Sequence, residues 1–365
     1  MDNNFLLSNT YQSARGSDMN KKASFFYPIL WVFALPFAMP CWAFDSGSTG
    51  VDGEFSPTSD IMLALPDNGI FNFTTVNIPQ GVTVTFTRNQ LNTPAVVLAQ
   101  GDMIIDGVID INGVDGGGIF VLPSPPGGYD GGRSVGPGSE GANGLGPGGG
   151  QGGRRINNST CGGSGAGFGS DGNIDRSSAC INNMLPGNSY GSKALQPLIG
   201  GSGGGGGRNG SVDNLSGAGG SGGGALLLAA SGRLTLNHTI TAEGGNASEV
   251  NSSGGGGGSG GGVRLVATTL NGNGSIQVRG GKGWGNILAG YGRVRMEAEN
   301  FNFTGSTSPP IALSASTSPQ PVFVSNIPSI RITQIAGSDV PAIPSGSNDV
   351  ILPSDIVKPV TVQLA

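Results

Sequence analysis

Two stretches of the chain share one pattern, and this pattern decides the fold. The first is Ala95-Val-Val-Leu-Ala-Gln-Gly-Asp-Met-Ile-Ile-Asp-Gly-Val-Ile-Asp-Ile-Asn-Gly113. The second, aligned with one insertion, is Ala225-Leu-Leu-Leu-Ala-Ala-Ser-Gly-Arg-Leu-Thr-Leu-Asn-His-Thr-Ile-Thr-Ala-Glu-Gly244. A third copy begins at Val263-Arg-Leu-Val-Ala267 and ends at Ser275-Ile-Gln-Val-Arg-Gly280, and Val294-Arg-Met-Glu-Ala298 is a partial fourth. Each full copy has about 20 residues and predicts a strand, a Gly or Asn turn and shorter strands.

Repeats of this size gain stability by stacking, because a single copy cannot bury its own apolar side. Strand alternation predicts that Met103, Ile105, Ile109 and Ile111 point inward. The matching inward residues of the second copy are Leu234, Leu236, Ile240 and Ala242. The sequence therefore predicts an all-β, right-handed parallel β-helix with long Gly-rich insertions. An antiparallel β-sandwich is the alternative, since it also uses alternating strands.

A Gly-rich insertion separates the first two copies, at about 114–224. Its runs, such as 200–210 and 217–224, contain almost no apolar side chains that could offset the entropy of ordering. Two structures fit this composition: a flexible flap, or extended polyproline-II-like chains packed side by side. Residues 254–262 form a shorter segment of the same kind.

The N-terminal 43 residues have the organisation of a secretory signal peptide. Met19-Asn-Lys-Lys22 starts a cationic region, residues 25–39 form an apolar region, and Cys41-Trp-Ala43 offers a cleavage site after Ala43. Translation then starts at Met19 on this interpretation. The alternative is a membrane anchor, but the apolar run falls short of the ~20 residues that span a bilayer. We therefore expect an exported protein with no transmembrane segment after cleavage.

The remaining chain divides by composition into a predicted solenoid domain, 44–303, and a Pro-rich extended or small β module, 304–365. Gly contributes 70 of the 365 residues, and charged residues only 11%. Because Arg15, Lys21, Lys22, Asp2 and Asp18 precede residue 44, the rest carries 15 basic and 21 acidic residues. The resulting charge of −6 argues against a nucleic-acid partner, which requires a basic surface.

Two cysteines remain after the predicted cleavage, Cys161 and Cys180. An even number of cysteines in an oxidising compartment predicts a disulfide. Two free thiols in a loop are the alternative.

Acidic residues supply the candidate ligand sites. Asp102, Asp106 and Asp110 alternate outward in the first copy, where they would hold a polysaccharide or Ca²⁺, although the second copy has Arg233, Asn237 and Thr241 at these positions. Asp171, Asn173 and Asp175 resemble the start of a calcium loop, but Arg176 and Asn182 replace the Gly and Glu that such a loop requires. No other metal site or cofactor is predicted.

The chain also resembles exported, Gly-rich bacterial β-helix-like surface proteins of unassigned function. The resemblance rests on 45–50 (Asp-Ser-Gly-Ser-Thr-Gly), 53–57 (Gly-Glu-Phe-Ser-Pro), 71–79 (Phe-Asn-Phe-Thr-Thr-Val-Asn-Ile-Pro) and the Gly-Gly-Gly plus aliphatic repeats. It covers most of 44–303. Since these motifs are structural, the resemblance implies a secreted surface protein and carries over no active site.

The sequence thus favours a secreted or cell-surface, structural or adhesin-like protein without a catalytic site. Its expected partner is a glycan, a matrix or another cell-surface component. The alternative is a polysaccharide lyase or hydrolase, or a glycan-binding module, on the same scaffold. An enzyme of this kind would need charged groups that converge on one groove.

Overall fold

Short parallel strands in two sheets form the body of the protein in a computed structural model. The structure describes residues 44–118, 120–134, 138–174, 177, 179–208, 216–248, 254–323, 332–341, 350–352 and 359–364. The predicted signal segment, 1–43, lies outside these residues. No helix in the described ranges has the length and apolarity needed to cross a bilayer.

Most strands are short, and the longest ones lie in the later copies of the repeat. In chain order they are β1 (Ile61–Ala64), β2 (Ile70–Phe73), β3 (Val76–Ile78), β4 (Thr83–Thr87), β5 (Ala95–Ala99), β6 (Met103–Ile105), β7 (Val108–Asp110), β8 (Arg154–Ile156), β9 (Ser159–Cys161), β10 (Ala225–Leu236), β11 (Thr239–Thr241), β12 (Gly262–Asn271), β13 (Ser275–Gln277), β14 (Arg293–Phe301), β15 (Ser306–Ser308), β16 (Leu313–Ser316), β17 (Ile332–Ile335), β18 (Ser338–Asp339) and β19 (Val362–Leu364). Two single-turn 3-10 helices occupy Trp284–Asn286 and Pro310–Ala312.

The repeated copies stack in register. The smaller sheet has the order β1-β4-β7-β11-β13-β15, and the larger has β16-β14-β12-β10-β5-β2, with β6 also paired to β10 and β3 paired to β6. Leu234 pairs with Met103 and Ile240 pairs with Ile109, so one offset of 131 residues relates the first two copies in both sheets. Every pairing within these two sheets is parallel, which confirms the all-β class with parallel sheets and excludes the antiparallel sandwich.

The predicted inward residues fill the space between the two sheets. All eight of them are at most 2% exposed, and they belong to one apolar cluster: Met103, Ile105, Ile109, Ile111, Leu234, Leu236, Ile240 and Ala242. The inward prediction from alternation is therefore confirmed.

The Gly-rich segments are extended chains that lie side by side. Residues 200–207 run through the middle of this bundle, and six segments surround them: 127–132, 142–145, 150–153, 163–166, 217–223 and 256–259. Each backbone N–H and C=O of 200–207 is hydrogen-bonded to a neighbouring chain or to a Ser or Tyr side chain. Of the two structures that the composition allowed, the described part of 114–224 adopts the packed chains.

The hydrogen bonds of this bundle repeat every three residues. The amides of Gly201, Gly204 and Gly207 donate to the carbonyls of Gly223, Gly220 and Gly217 at 2.8–2.9 Å. Three residues per turn is the period of the polyproline II helix, which makes no hydrogen bonds within itself. Each chain therefore directs its amides and carbonyls to different neighbours in turn.

Beyond residue 303, where the composition changes, parallel pairing continues. β15 pairs with β13 and β16 pairs with β14. A separate antiparallel sheet follows, in the order β18-β17-β19.

Glycine is required inside the bundle because of how closely the backbones approach. A Cβ atom on Gly204 would lie 2.0 Å from the carbonyl oxygen of Gly256, and one on Gly205 would lie 2.0 Å from that of Gln151. A carbon atom cannot sit at this distance from an oxygen, so a side chain would separate the chains and break their hydrogen bonds.

We therefore expect Gly204→Ala to lower the free energy of unfolding by about 3 kcal/mol or more, because the backbone contact cannot relax cheaply. Gly117→Ala is the matched control, since its Cβ would meet the movable side chain of Leu122 at 3.3 Å and the Phe120 carbonyl oxygen at 3.5 Å, an ordinary contact distance. The control should cost below about 1 kcal/mol in urea unfolding followed by circular dichroism. Equal losses in the two variants would contradict the steric argument.

Candidate functional site

The three aspartates of the first copy do not form a common site. Asp102 Oδ1 accepts a hydrogen bond from the Arg233 amide, and Asp106 Oδ1 accepts one from Asn237 Nδ2, each at 2.7 Å. Asp102 and Asp106 thus each bind the residue at the matching position of the next copy. Asp110 Oδ1 instead accepts from the Asn112 amide at 2.9 Å. Within the described ranges, no group of three or more His, Cys, Asp or Glu residues is arranged to hold a metal ion.

The second candidate for calcium is also engaged in packing. Asp171 Oδ1 accepts from the Ser189 amide at 2.6 Å, and Asn173 Nδ2 donates to the Leu288 carbonyl at 3.0 Å. Asp175 lies outside the described residues. The side chains of Asp171 and Asn173 therefore fix neighbouring loops.

Cys161 and Cys180 form a disulfide, with Cα atoms 5.7 Å apart. Cys161 ends the hairpin of β8 and β9, and both cysteines are fully buried beside Met184. The disulfide closes a loop and lies in a small apolar cluster, against which Ile156, Ile174 and Ala179 pack.

A partly buried polar network joins the bundle to β14. Tyr190 Oη donates to the Gly200 carbonyl at 2.6 Å and accepts from Ser202 Oγ at 2.9 Å. Arg293 donates to the Tyr190 carbonyl at 2.8 Å and stacks 5.5 Å from the Phe168 ring centroid. Burial raises the pKa of Tyr190 well above its usual range and lowers that of Arg293. This network is internal, so we assign it to packing.

A cleft of about 440 Å³, which we call the polar cleft, opens where Gly chains leave β11 and β13. Its lining residues combine both charge signs with an aromatic ring: Glu243, Gly244, Asn246, Arg279, Gly280, Gly281, Lys282, Leu288, Ala289, Tyr291 and Pro309.

The backbone of the polar cleft is held rigidly. The Gly244 amide donates to the Arg279 carbonyl at 2.9 Å, and the Ala247 amide donates to the Lys282 carbonyl at 2.7 Å. Asn246 Oδ1 accepts from the Lys282 amide at 2.9 Å. These bonds set the position from which each charged side chain extends.

The charged side chains of the polar cleft are available for a ligand. In the part of the chain that the structure describes, the side chains of Glu243, Arg279 and Lys282 make no hydrogen bond or ion pair. Arg279 and Lys282 are exposed, whereas Tyr291 is half-buried. Two positive charges against one negative charge favour an anionic ligand.

A second cavity, the apolar pocket, has a volume of about 640 Å³ on the outward side of the larger sheet. Apolar side chains form most of its lining, which comprises Pro94, Val96, Leu195, Gln196, Pro197, Leu198, Leu227, Arg264, Val322 and Phe323. Next to it, Glu297 pairs with Arg264 and Arg295, both at 3.1 Å.

A third cleft, of about 470 Å³, contains Asp110 and Arg88. Arg88 is bound to Asp130 at 2.8 Å. Asp106 and Arg233, which lie near Asp110 in the repeats, do not line this cleft.

No protein-family model, curated protein or solved structure matches this chain. We therefore infer function from the geometry of the clefts. Sequence reasoning missed the polar cleft, although the repeat carried a signal for it. The pairings of β7, β11 and β13 align Asn112, Glu243 and Arg279 at matching positions of successive copies. Each of the three residues is directly followed by a Gly.

The ion pairs beside the apolar pocket provide a stability test. The Arg264 side chain is 3% exposed and that of Arg295 is 18% exposed. Glu297→Gln would leave the Arg264 charge buried without a counter-ion, so we expect a loss of about 3 kcal/mol in unfolding free energy. Arg295→Gln keeps the inner pair and should cost below about 1 kcal/mol. Similar losses by chemical denaturation in both variants would show that the buried charge is not the cause.

Proposed function

We propose that this chain is an exported, adhesin-like surface protein that binds carboxylate-bearing polysaccharides in the polar cleft. The observation that carries the proposal is the set of unpaired side chains of Glu243, Arg279 and Lys282 on a backbone held by inter-chain hydrogen bonds. Their scaffold, on this proposal, is a right-handed parallel β-helix with a Gly-rich bundle.

The β-helix proposal is supported by how the chain alternates between the sheets. β5 and β6 lie in the larger sheet and β7 in the smaller one, and β10 with β11 repeats this order. The same alternation continues through β12 with β13 and β14 with β15. Each copy of the repeat therefore contributes strands to both sheets.

A glycan is favoured over other anions because of the mixed lining of the polar cleft. Arg279 and Lys282 suit the carboxylates of an acidic sugar, while Glu243 and Asn246 can accept or donate hydrogen bonds to hydroxyl groups. Tyr291 presents an aromatic surface with a polar end. A compact anion such as phosphate would leave Glu243 without a favourable partner.

Export is supported by the N-terminal pattern and by the disulfide. The cationic and apolar regions before Ala43 fit a signal peptide. The pairing of Cys161 with Cys180 is typical of proteins that fold in an oxidising compartment.

A binding role is favoured over polysaccharide cleavage because hydrolysis in most glycosidases uses two carboxyl groups. Glu243 is the single carboxylate among the residues that line the polar cleft. Binding without hydrolysis is accordingly the expected outcome with an acidic polymer.

Glycan binding can be measured by calorimetry with polygalacturonate and alginate, and with dextran as a neutral control polymer. We expect binding of at least one acidic polymer, which weakens as salt screens the charges. Arg279→Ala should reduce the affinity about tenfold, which corresponds to 1.4 kcal/mol.

Lys193→Ala is the matched control, since Lys193 is exposed and does not line the polar cleft. It should bind like the unmodified protein. Equal affinity of the Arg279 and Lys193 variants, or tighter binding of dextran, would refute the assignment of the cleft.

A further inference from the structure

The backbone nitrogen of Phe44 meets a carboxylate that lies far away in the sequence. It donates a hydrogen bond to Glu299 Oε1 at 3.1 Å. Glu299 lies on β14, with Arg295 and Glu297 at the two preceding alternate positions. The Phe44 residue is only 8% exposed, so this contact belongs to a packed surface.

Residues 44–48 are seated on the outward side of the larger sheet. The Phe44 side chain belongs to an apolar cluster with Leu98, Leu227, Ala229 and Val266. Behind it, Ser46 Oγ donates to the Ala99 carbonyl and Ser48 Oγ donates to the Phe73 carbonyl, both at 2.7 Å. Phe44, the first residue that the structure describes, thus belongs to a segment that is anchored by both apolar packing and hydrogen bonds.

We propose that Phe44 is the N-terminal residue of the processed protein, and that its α-ammonium group forms an ion pair with Glu299. This inference rests on the export proposed above, and it is independent of glycan binding. The predicted signal cleavage after Ala43 would leave Phe44 as the first residue.

Processing changes the chemistry at this nitrogen. A signal peptidase hydrolyses the bond between the Ala43 carbonyl carbon and the Phe44 nitrogen, and water supplies the hydroxyl to carbon and the proton to nitrogen. The new amine takes up a further proton near neutral pH, since α-amino groups have pKa values of about 7.7–8.0. A neutral N–H donor to Glu299 thereby becomes a charged donor, which makes a stronger hydrogen bond to a carboxylate.

Glu299 is free to act as the counter-ion. The charged residues on neighbouring outward positions are Asp45 on the same segment, Arg295 and Glu297 on β14, Arg264 on β12 and Arg233 on β10. Arg264 and Arg295 are both paired with Glu297. Asp45 Oδ1 accepts from the Gly47 amide at 2.9 Å. Among the described residues, Glu299 has no ion-pair partner.

The ion pair gives stability a defined dependence on pH. Glu299 favours the protonated amine, so it raises the α-amino pKa in the folded protein. The stabilisation is then complete below the unfolded pKa and is lost as the pH rises through the folded value.

The experiment uses the protein exported from cells that express the full chain. N-terminal sequencing should give Phe44-Asp-Ser-Gly. At pH 6.5, Glu299→Gln should raise the unfolding equilibrium constant about fivefold, which equals ~1 kcal/mol. At pH 10 this difference should fall below about twofold, because the amine is then neutral. Glu54→Gln, at an exposed position, is the control and should show no such pH dependence.

A second measurement needs no variant. The pH dependence of α-amine acylation in the unmodified protein reports its pKa, which should exceed the ordinary range of about 7.7–8.0. Processing at another residue, or an unprocessed chain, would overturn the assignment of Phe44. A Phe44 terminus with an ordinary pKa, or with an effect of Glu299→Gln that is independent of pH, would overturn the ion pair. Loss of glycan binding alone would affect only the function of the polar cleft.

Discussion

Direct contact between extended backbones is the constraint on which the rest of the structure depends. In the middle of the bundle, each N–H and C=O of 200–207 has a partner, and a Cβ on Gly204 would lie only 2.0 Å from the nearest oxygen. A Gly chain loses more conformational entropy on folding than any other, and it buries no side chain in return. The fully satisfied hydrogen bonds between chains therefore have to offset this entropy, which an apolar core offsets in most proteins.

The bundle and the two sheets form one continuous lattice. Residues 217–224 lead directly into β10, and residues 254–261 lead into β12. Beyond the ends of β7 and β11 the two backbones stay hydrogen-bonded, although they no longer form strands. The amides of Gly113 and Gly116 donate to the carbonyls of Glu243 and Asn246. Hydrogen bonds between the parallel strands set the spacing of successive copies, and the Gly chains that continue from these strands keep the same spacing. A displacement in one layer would thus disturb the hydrogen bonds of the other.

The sequence predicted the sheets well because their side chains alternate. The inward residues from Met103 to Ile111, and their counterparts from Leu234 to Ala242, could be read from this alternation. For the bundle, two alternatives stayed open at the level of the sequence. A run of Gly has no side-chain pattern, and its three-residue hydrogen-bond period cannot be recognised in the sequence. The outward aspartates were placed correctly, but their partners were not foreseen: Asp102 and Asp106 bind Arg233 and Asn237, 131 positions away. The contact between Phe44 and Glu299 spans 255 positions and depends on the fold as a whole.

A body built from close-packed backbones restricts where recognition can occur. At the Gly positions inside the bundle a side chain would break the packing, and a side chain that is present there, such as that of Ser202, is small and hydrogen-bonded. Charged groups that bind a ligand therefore have to stand where a Gly chain begins, ends or is briefly interrupted. Glu243 and Arg279 stand directly before Gly residues, and Tyr291 stands between Gly290 and Gly292. Because only 11% of the residues are charged, the unpaired charges at these positions differ clearly from the rest of the chain. Changes at such perimeter positions can alter the ligand while the lattice stays intact, because the Gly positions of the interior would not have to change with them.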